Sequence, residues 1–221
     1  MNKHAVVLGA TGMVGTQLVR QLAEDPQYGR VTALVRRPLS SAYPKVKQVI
    51  ADMDKLEAYG QDFDADAVFC CLGTTIKTAG SQEAFRRVDL DYPLTAGRLA
   101  KQAGVPVFAV ISSLGADVGS PFFYSRVKGE MERRLGELGL PSLYIFRPSL
   151  LIGQRSEKRP GEQAAAAISR AMPFLYSGPF RKYKPVEADV VAAAMRGAVR
   201  QGESGLRIYP SAALPDLAAK A

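Results

Sequence analysis

Seven consecutive residues near the start of the chain, Gly9, Ala10, Thr11, Gly12, Met13, Val14 and Gly15, restrict its fold more than any other stretch. They follow a short apolar run at residues 4–8 (His-Ala-Val-Val-Leu) and open a segment with Val14, Leu18, Val19 and Leu22 at helical spacing. A strand that turns on glycine straight into an amphipathic helix is the entry to a βαβ unit. Gly9 lets the chain turn sharply, Gly12 lets an anion approach the amides of the helix N-terminus, and Gly15 lets the helix sit close to the sheet. The spacing is G-x-x-G-x-x-G rather than G-x-G-x-x-G, and a bare glycine triplet also occurs in ordinary turns. Its position between a strand and a helix gives it force.

The rest of the chain continues the alternation. Strand-like apolar runs stand at residues 31–35, 46–50, 67–72, 105–111, 142–146 and 206–209. Between and after them lie amphipathic stretches at 82–103, 121–138 and 188–200. Such a series predicts an α/β fold: a doubly wound parallel sheet of Rossmann type with helices on both faces and a short C-terminal extension. At 221 residues the chain reads as a single domain, with 150–221 forming a small substrate-side region. A further helix is expected at 161–171, followed by an aromatic and basic stretch at 174–183. There Phe174, Tyr176, Phe180 and Tyr183 suit a substrate wall, a core cover or a dimer contact equally well.

Composition excludes several classes. No apolar run reaches the about 18 residues that cross a bilayer. The N-terminus lacks the basic, apolar, small-residue order of a signal peptide. Cys70 and Cys71 are adjacent and do not suggest a disulfide framework, so a reducing compartment and a cytosolic (cytoplasmic) protein are expected. The net charge of +8 is scattered, with modest clusters at 155–159 and 181–184 and no interleaved aromatics of a nucleic-acid reader. A solvated surface with a site for an anionic ligand accounts for it. The single histidine, His4, argues against a histidine metal site, and no other ligand cluster suggests a metal.

Ligands of a doubly wound sheet bind beyond the carboxyl ends of its strands, where the strand order reverses. The second strand ends in Leu-Val-Arg-Arg-Pro, with Arg36 and Arg37 where an NAD-specific site carries an acid. These arginines suit the 2′-phosphate of NADP (NADPH) through charge-assisted hydrogen bonds, although two surface arginines capping a strand look the same. At the end of the third strand Asp52, beside Met53, is placed to accept from an adenine amino group, and Asp54 reads as a helix N-cap. The fourth strand leads into Cys71, Leu72, Gly73 and Thr74, where glycine admits a close cofactor and threonine offers a hydroxyl. Both cysteines read as buried strand residues rather than nucleophiles, since nothing nearby lowers a thiol pKa.

The fifth strand puts two hydroxyls, Ser112 and Ser113, at its end, and the next helix carries Tyr124 and Lys128. Four residues apart on a helix, Tyr124 and Lys128 share a face. An unaided phenol is a poor acid near neutrality, and a neighbouring ammonium stabilises its anion. A serine hydroxyl at the strand end then holds a carbonyl oxygen while hydride moves to or from a nicotinamide. A tyrosine and a lysine also fall at this spacing by chance; the order of glycine loop, serines and Tyr-Lys pair carries the argument.

These segments resemble the atypical short-chain dehydrogenases/reductases, most closely the small Tat-interacting-protein-type oxidoreductases. The matching stretches are Ser112-Ser113-Leu-Gly-Ala-Asp117, Tyr124-Ser-Arg-Val-Lys128-Gly-Glu130, Phe146-Arg-Pro-Ser-Leu-Leu-Ile-Gly153 and Arg159-Pro-Gly-Glu162. The resemblance implies a catalytic triad of Ser112 or Ser113, Tyr124 and Lys128. It also implies that Arg147, Pro148 and Ser149 lie near the nicotinamide. Larger relatives that process nucleotide sugars carry a bigger C-terminal region, so reduction of a small carbonyl or quinone is expected over epimerisation. An NADPH-binding regulator acting through a protein partner is the alternative. A semialdehyde dehydrogenase, needing an activated cysteine and a second domain, fits least. No nucleic-acid or membrane partner is expected, and the 82–103 helix is a candidate homodimer face.

Overall fold

Apolar runs that alternate with amphipathic helices must be buried on both faces, and the inner strands obey this, while the two edge strands stay largely exposed. The computed structural model describes residues 2–39, 42–153 and 183–221. The expected helix at 161–171, the basic cluster at 155–159 and the aromatic stretch up to residue 182 lie outside them. Strands β1 (Lys3–Leu8), β2 (Tyr28–Val35), β3 (Val46–Ile50), β4 (Ala67–Cys70), β5 (Val107–Ile111), β6 (Ser142–Arg147) and β9 (Gly205–Pro210) form one sheet in the order β3-β2-β1-β4-β5-β6-β9. Every pairing in it is parallel. A separate two-residue ladder joins β7 (Leu151–Ile152) to β8 (Val186–Glu187).

The order reverses between β1 and β4, which lie side by side with Leu8 opposite Cys70. Successive side chains of each strand point to opposite faces. On one face Val7 and Phe69 pack with Leu18 and Leu22 of α1 (Met13–Glu24) and with Val191 and Met195 of α6 (Ala188–Gln201). On the other, Leu8 and Phe108 pack with Leu94 of α4 (Tyr92–Gln102) and with Met131 and Leu135 of α5 (Phe123–Gly136). At the far end of α1, the buried Asp25 carboxylate accepts from Arg196 at 2.6 Å and Arg200 at 3.0 Å, tying that helix to α6.

The expected long helix at 82–103 is divided. It consists of α3 (Gln82–Arg86), a π-helical turn (Arg87–Asp91) and α4, with the short α2 (Ile76–Ala79) before it. Pro93 is the physical reason: it has no N–H to give to the Asp89 carbonyl, and a wider turn with the Tyr92 N–H reaching Arg87 absorbs the gap. Much of α4 is buried, including Leu94, Ala96 and Ala100.

Other boundaries move too. β4 stops at Cys70, two residues early, and β5 starts at Val107. The last strand, expected at 206–209, extends by one residue at each end and takes the outer edge beside β6. A short α7 (Leu214–Ala218) follows it. Residues Met53–Phe63 form a 3-10 helix interrupted at Lys55 and Tyr59. Because that helix starts at Met53, Asp52 is its cap and accepts from the Asp54 N–H at 3.1 Å, the role expected of Asp54.

Candidate functional site

The loop after β1 and the loop after β4 touch. Gly9 has φ +76°, and a Cβ on it would stand 2.5 Å from the Cys71 carbonyl oxygen. A Cβ on Gly15 would collide with the Gly9 carbonyl, so the helix approaches the strand as closely as backbone allows. The turn is closed by the Gly12 N–H donating to the Gly9 carbonyl at 2.9 Å and by the Thr16 hydroxyl donating to the Ala10 carbonyl at 3.1 Å. Ala10 and Val14 are buried, while Thr11 and Gly12 are exposed and Met13 is half-buried. Gly12 caps α1 without a side chain, and the first turn holds no acid. The amides there fit an anionic group. The end of β7 packs nearby, with the Met13 Sδ 3.0 Å from where a Gly153 Cβ would be.

Arg36 and Arg37 leave the end of β2 exposed, and among the described residues neither forms an ion pair. Met53 is buried beneath the end of β3, beside the capping Asp52. The Tyr92 hydroxyl donates to Asp54 at 2.6 Å; burial and that bond push its phenol up to about 12, while Arg36 pulls the other way. Two exposed arginines thus follow the end of β2, and Arg36 acts on the Tyr92–Asp54 pair beyond the end of β3.

Beyond β4, Cys71, Leu72 and Thr74 are half-buried and Gly73 is exposed. The Thr74 N–H donates to Asp89 at 2.8 Å, and Thr75 caps α2. The other Asp89 oxygen lies 2.7 Å from the Lys128 Nζ, with both side chains almost fully buried. Lys128 also donates to the Ile111 carbonyl at 3.4 Å, at the last residue of β5. Burial works to lower its pKa, yet the charges of Asp89 and Tyr124 hold it above the ordinary lysine value. Directly after Ile111 come Ser112 and Ser113, both buried, and both hydroxyls lack a hydrogen-bond partner among the described residues. Their exposures, 3% and 8%, do not separate them. Tyr124, one helical turn before Lys128, is exposed and its ring centre lies 5.5 Å from that of Phe85.

The cysteines carry no activating partner. Burial pushes the Cys70 thiol up to about 11 and the Cys71 thiol well above its ordinary value. Among the described residues there is also no group of three metal-ligating side chains.

At the end of β6, Arg147 is committed to Glu132 of α5, its Nε donating to the two carboxylate oxygens at 3.0 and 3.1 Å. Burial of Glu132 and this two-point contact turn the guanidinium toward the helix. Pro148 is buried and its carbonyl accepts from the Leu114 N–H at 2.8 Å, joining β6 to the serine loop. The Ser149 hydroxyl donates to the Lys184 carbonyl, and its amide donates to the Ser211 hydroxyl at 3.1 Å. Asp89 and Glu132 escaped the sequence reading. A carboxylate standing among Phe85, Leu90 and Leu94 was the available signal for Asp89.

A reversed parallel sheet with a glycine loop and a Tyr-x-x-x-Lys helix at its carboxyl edge defines a Rossmann-type dinucleotide-binding protein. The chain belongs to the family described as NAD(P)H-binding, whose pattern matches residues 9–167. It is 37% identical over 217 residues to Protein HTATIP2 of Rattus norvegicus, covering 96% of this chain and 88% of that one. It is 33% identical over 198 residues to the protein fmp52, mitochondrial, of Emericella nidulans, covering 86% and 84%. The structure of MoeE5 in complex with UDP-glucose and NAD superposes with a TM-score of 0.71 at 18% identity, covering 93% of this chain and 74% of that one. Such neighbours share the fold.

One expectation is overturned. The fmp52 relative is named mitochondrial, and further fungal relatives carry the same designation, which points to the mitochondrion and away from the cytosol. Two adjacent free cysteines suggest only a reducing environment, which does not distinguish these compartments. Among the described residues no helix is long and apolar enough to cross a membrane.

Proposed function

We propose that the protein is an NADPH-dependent reductase of a small aldehyde, ketone or quinone. One observation carries the reading: a buried, charged Lys128 sits at the end of β5, beside two unpartnered serine hydroxyls and one helical turn from the exposed Tyr124. Buried hydroxyls without partners cost free energy, and a substrate oxygen arriving there would satisfy one of them.

In this reading the amides of residues 11–14 at the start of α1, with Gly9, Gly12 and Gly15 shaping the turn, receive the pyrophosphate. Arg36 and Arg37 take the 2′-phosphate, and the residues from Cys71 to Thr74 border the ribose. When bound, NADPH supplies the hydride. Ser112 or Ser113 orients the substrate oxygen, Tyr124 gives it a proton, and Lys128 stabilises the phenolate left behind. With that hydride the carbonyl would become an alcohol whose oxygen carries the proton from Tyr124.

The test is NADPH oxidation by the purified protein against aldehydes, ketones and quinones, with NADH and the Tyr124→Phe variant as controls. Turnover that prefers NADPH and falls at least about a hundredfold in Tyr124→Phe is expected, in line with the usual share of general acid catalysis. Tight NADPH binding by both proteins without turnover would replace this reading with that of an NADPH-responsive binding protein.

A further inference from the structure

The buried ion pair between Asp89 and Lys128 is built more deliberately than charge neutralisation requires. Asp89 is fully buried, and its two carboxylate oxygens serve different elements: one meets Lys128 on α5 at 2.7 Å, the other accepts from the Thr74 N–H of the β4 loop at 2.8 Å. It reaches this position from the π-helical turn, which turns Asp89 inward while Arg87 and Asp91 stay exposed. A lysine ammonium has three N–H donors. The Ile111 carbonyl accepts from one of them at 3.4 Å, while the Asp89 oxygen stands 2.7 Å from the nitrogen as its ion-pair partner.

We propose that Asp89 is a positioning residue for Lys128: its carboxylate clamps the ammonium between the β4 loop and the end of β5 and keeps it there in its charged form. The inference deepens the reductase reading and rests on it for its kinetic consequence alone. An ammonium buried without a counter-charge is strongly disfavoured and gives up its proton early. The groups that face Lys128 are Asp89 from the π turn, Tyr124 from its own helix, the Cys70 thiol from β4 and the Ile111 carbonyl from β5. Among them Asp89 makes the closest charged contact, and Gly73 leaves room for the pair, with the site of its missing Cβ 3.4 Å from the Asp89 carboxylate and 3.9 Å from the ammonium. The same carboxylate joins the lysine to the loop expected to border the cofactor, so the ammonium cannot drift without that loop moving.

The variant to make is Asp89→Asn, which keeps an acceptor for the Thr74 N–H and removes the charge. Its kcat should fall about tenfold to a hundredfold, part of what general acid–base catalysis contributes, while KM and NADPH affinity stay close to those of the parent. Its activity should also gain an alkaline decline where the parent is flat, because Lys128 loses its proton. A second readout needs no turnover: ¹³C-labelled lysine NMR, with the Lys128 signal assigned by Lys128→Met. In the parent, Lys128 should hold its proton after the surface lysines have lost theirs; in Asp89→Asn it should lose it before them. A Lys128 that titrates with the surface lysines in the parent overturns the proposal, and this measurement stands even if Asp89→Asn does not fold. An Asp89→Asn profile parallel to the parent at every pH overturns it as well. If no carbonyl is turned over while the titration behaves as described, the reductase reading fails and the clamp remains.

Discussion

Gly9 and Cys71 meet backbone to backbone: the site of the missing Gly9 Cβ is 2.5 Å from the Cys71 carbonyl oxygen. This single contact brings the glycine loop against the β4 loop at the point where the strand order reverses. Neither partner can yield, because both atoms belong to main chain fixed by β1 and β4. Gly9→Ala should therefore cost about 1–3 kcal/mol through its positive φ alone, and more through the collision. Urea unfolding and an NADPH titration check it; a variant with parental stability would contradict the contact.

Arg36 tests the choice of dinucleotide. Arg36→Ala should weaken NADPH binding by about tenfold to a hundredfold, the loss of one or two charge-assisted hydrogen bonds, and leave NADH binding nearly unchanged. Isothermal titration with both dinucleotides separates the outcomes, since equal loss for both would assign Arg36 to the protein surface.

Glu132→Gln probes the pair that holds Arg147. Breaking a fully buried ion pair costs about 3–5 kcal/mol, but the Arg147 side chain is 30% exposed and water offsets part of its loss. A destabilisation of about 1–3 kcal/mol is expected, read from the urea midpoint. NADPH affinity should stay near the parental value, because the guanidinium contributes through the fold. A large loss of affinity with little loss of stability would place Arg147 at the cofactor instead.

The sole histidine offers a clean pH experiment. His4 is buried, its Nε2 paired with the Thr32 hydroxyl at 2.8 Å and its Nδ1 with the Asp64 carbonyl at 2.6 Å. Burial holds its pKa below the ordinary 6.5, with Arg30 adding to the effect. A depressed folded pKa gives stability that is present above 6.5 and lost as the pH falls toward the folded value. Between about pH 7.5 and 5.5, where histidine is the side chain that ordinarily titrates, the parent should lose stability and His4→Gln should stay nearly level. Parallel pH profiles of the unfolding free energy would refute the assignment.

The sequence revealed the architecture where local pattern decides structure. The apolar runs of β1, β5 and β6 are buried on both faces, so each can be read without knowing its neighbours. The glycine loop is equally local, since its turn and its close approach to α1 arise within a few residues. The order of Ser112, Ser113, Tyr124 and Lys128 follows from strand and helix alone. Asp89 was illegible for the opposite reason: its partners Thr74 and Lys128 come from other elements, and the π turn that aims it follows no simple period. Glu132 is similar, because nothing near it in the chain announces Arg147. Asp52 took the cap expected of Asp54, since a cap is assigned by where the helix begins and this one begins at Met53.

Asp25 closes the first helix against Arg196 and Arg200, which follow it by 171 and 175 positions. During synthesis the glycine turn and its helix leave the ribosome well before these two guanidinium groups. The cradle for the dinucleotide is thus shaped early and braced late, and a nascent chain carries an unanchored nucleotide pocket until α6 has emerged.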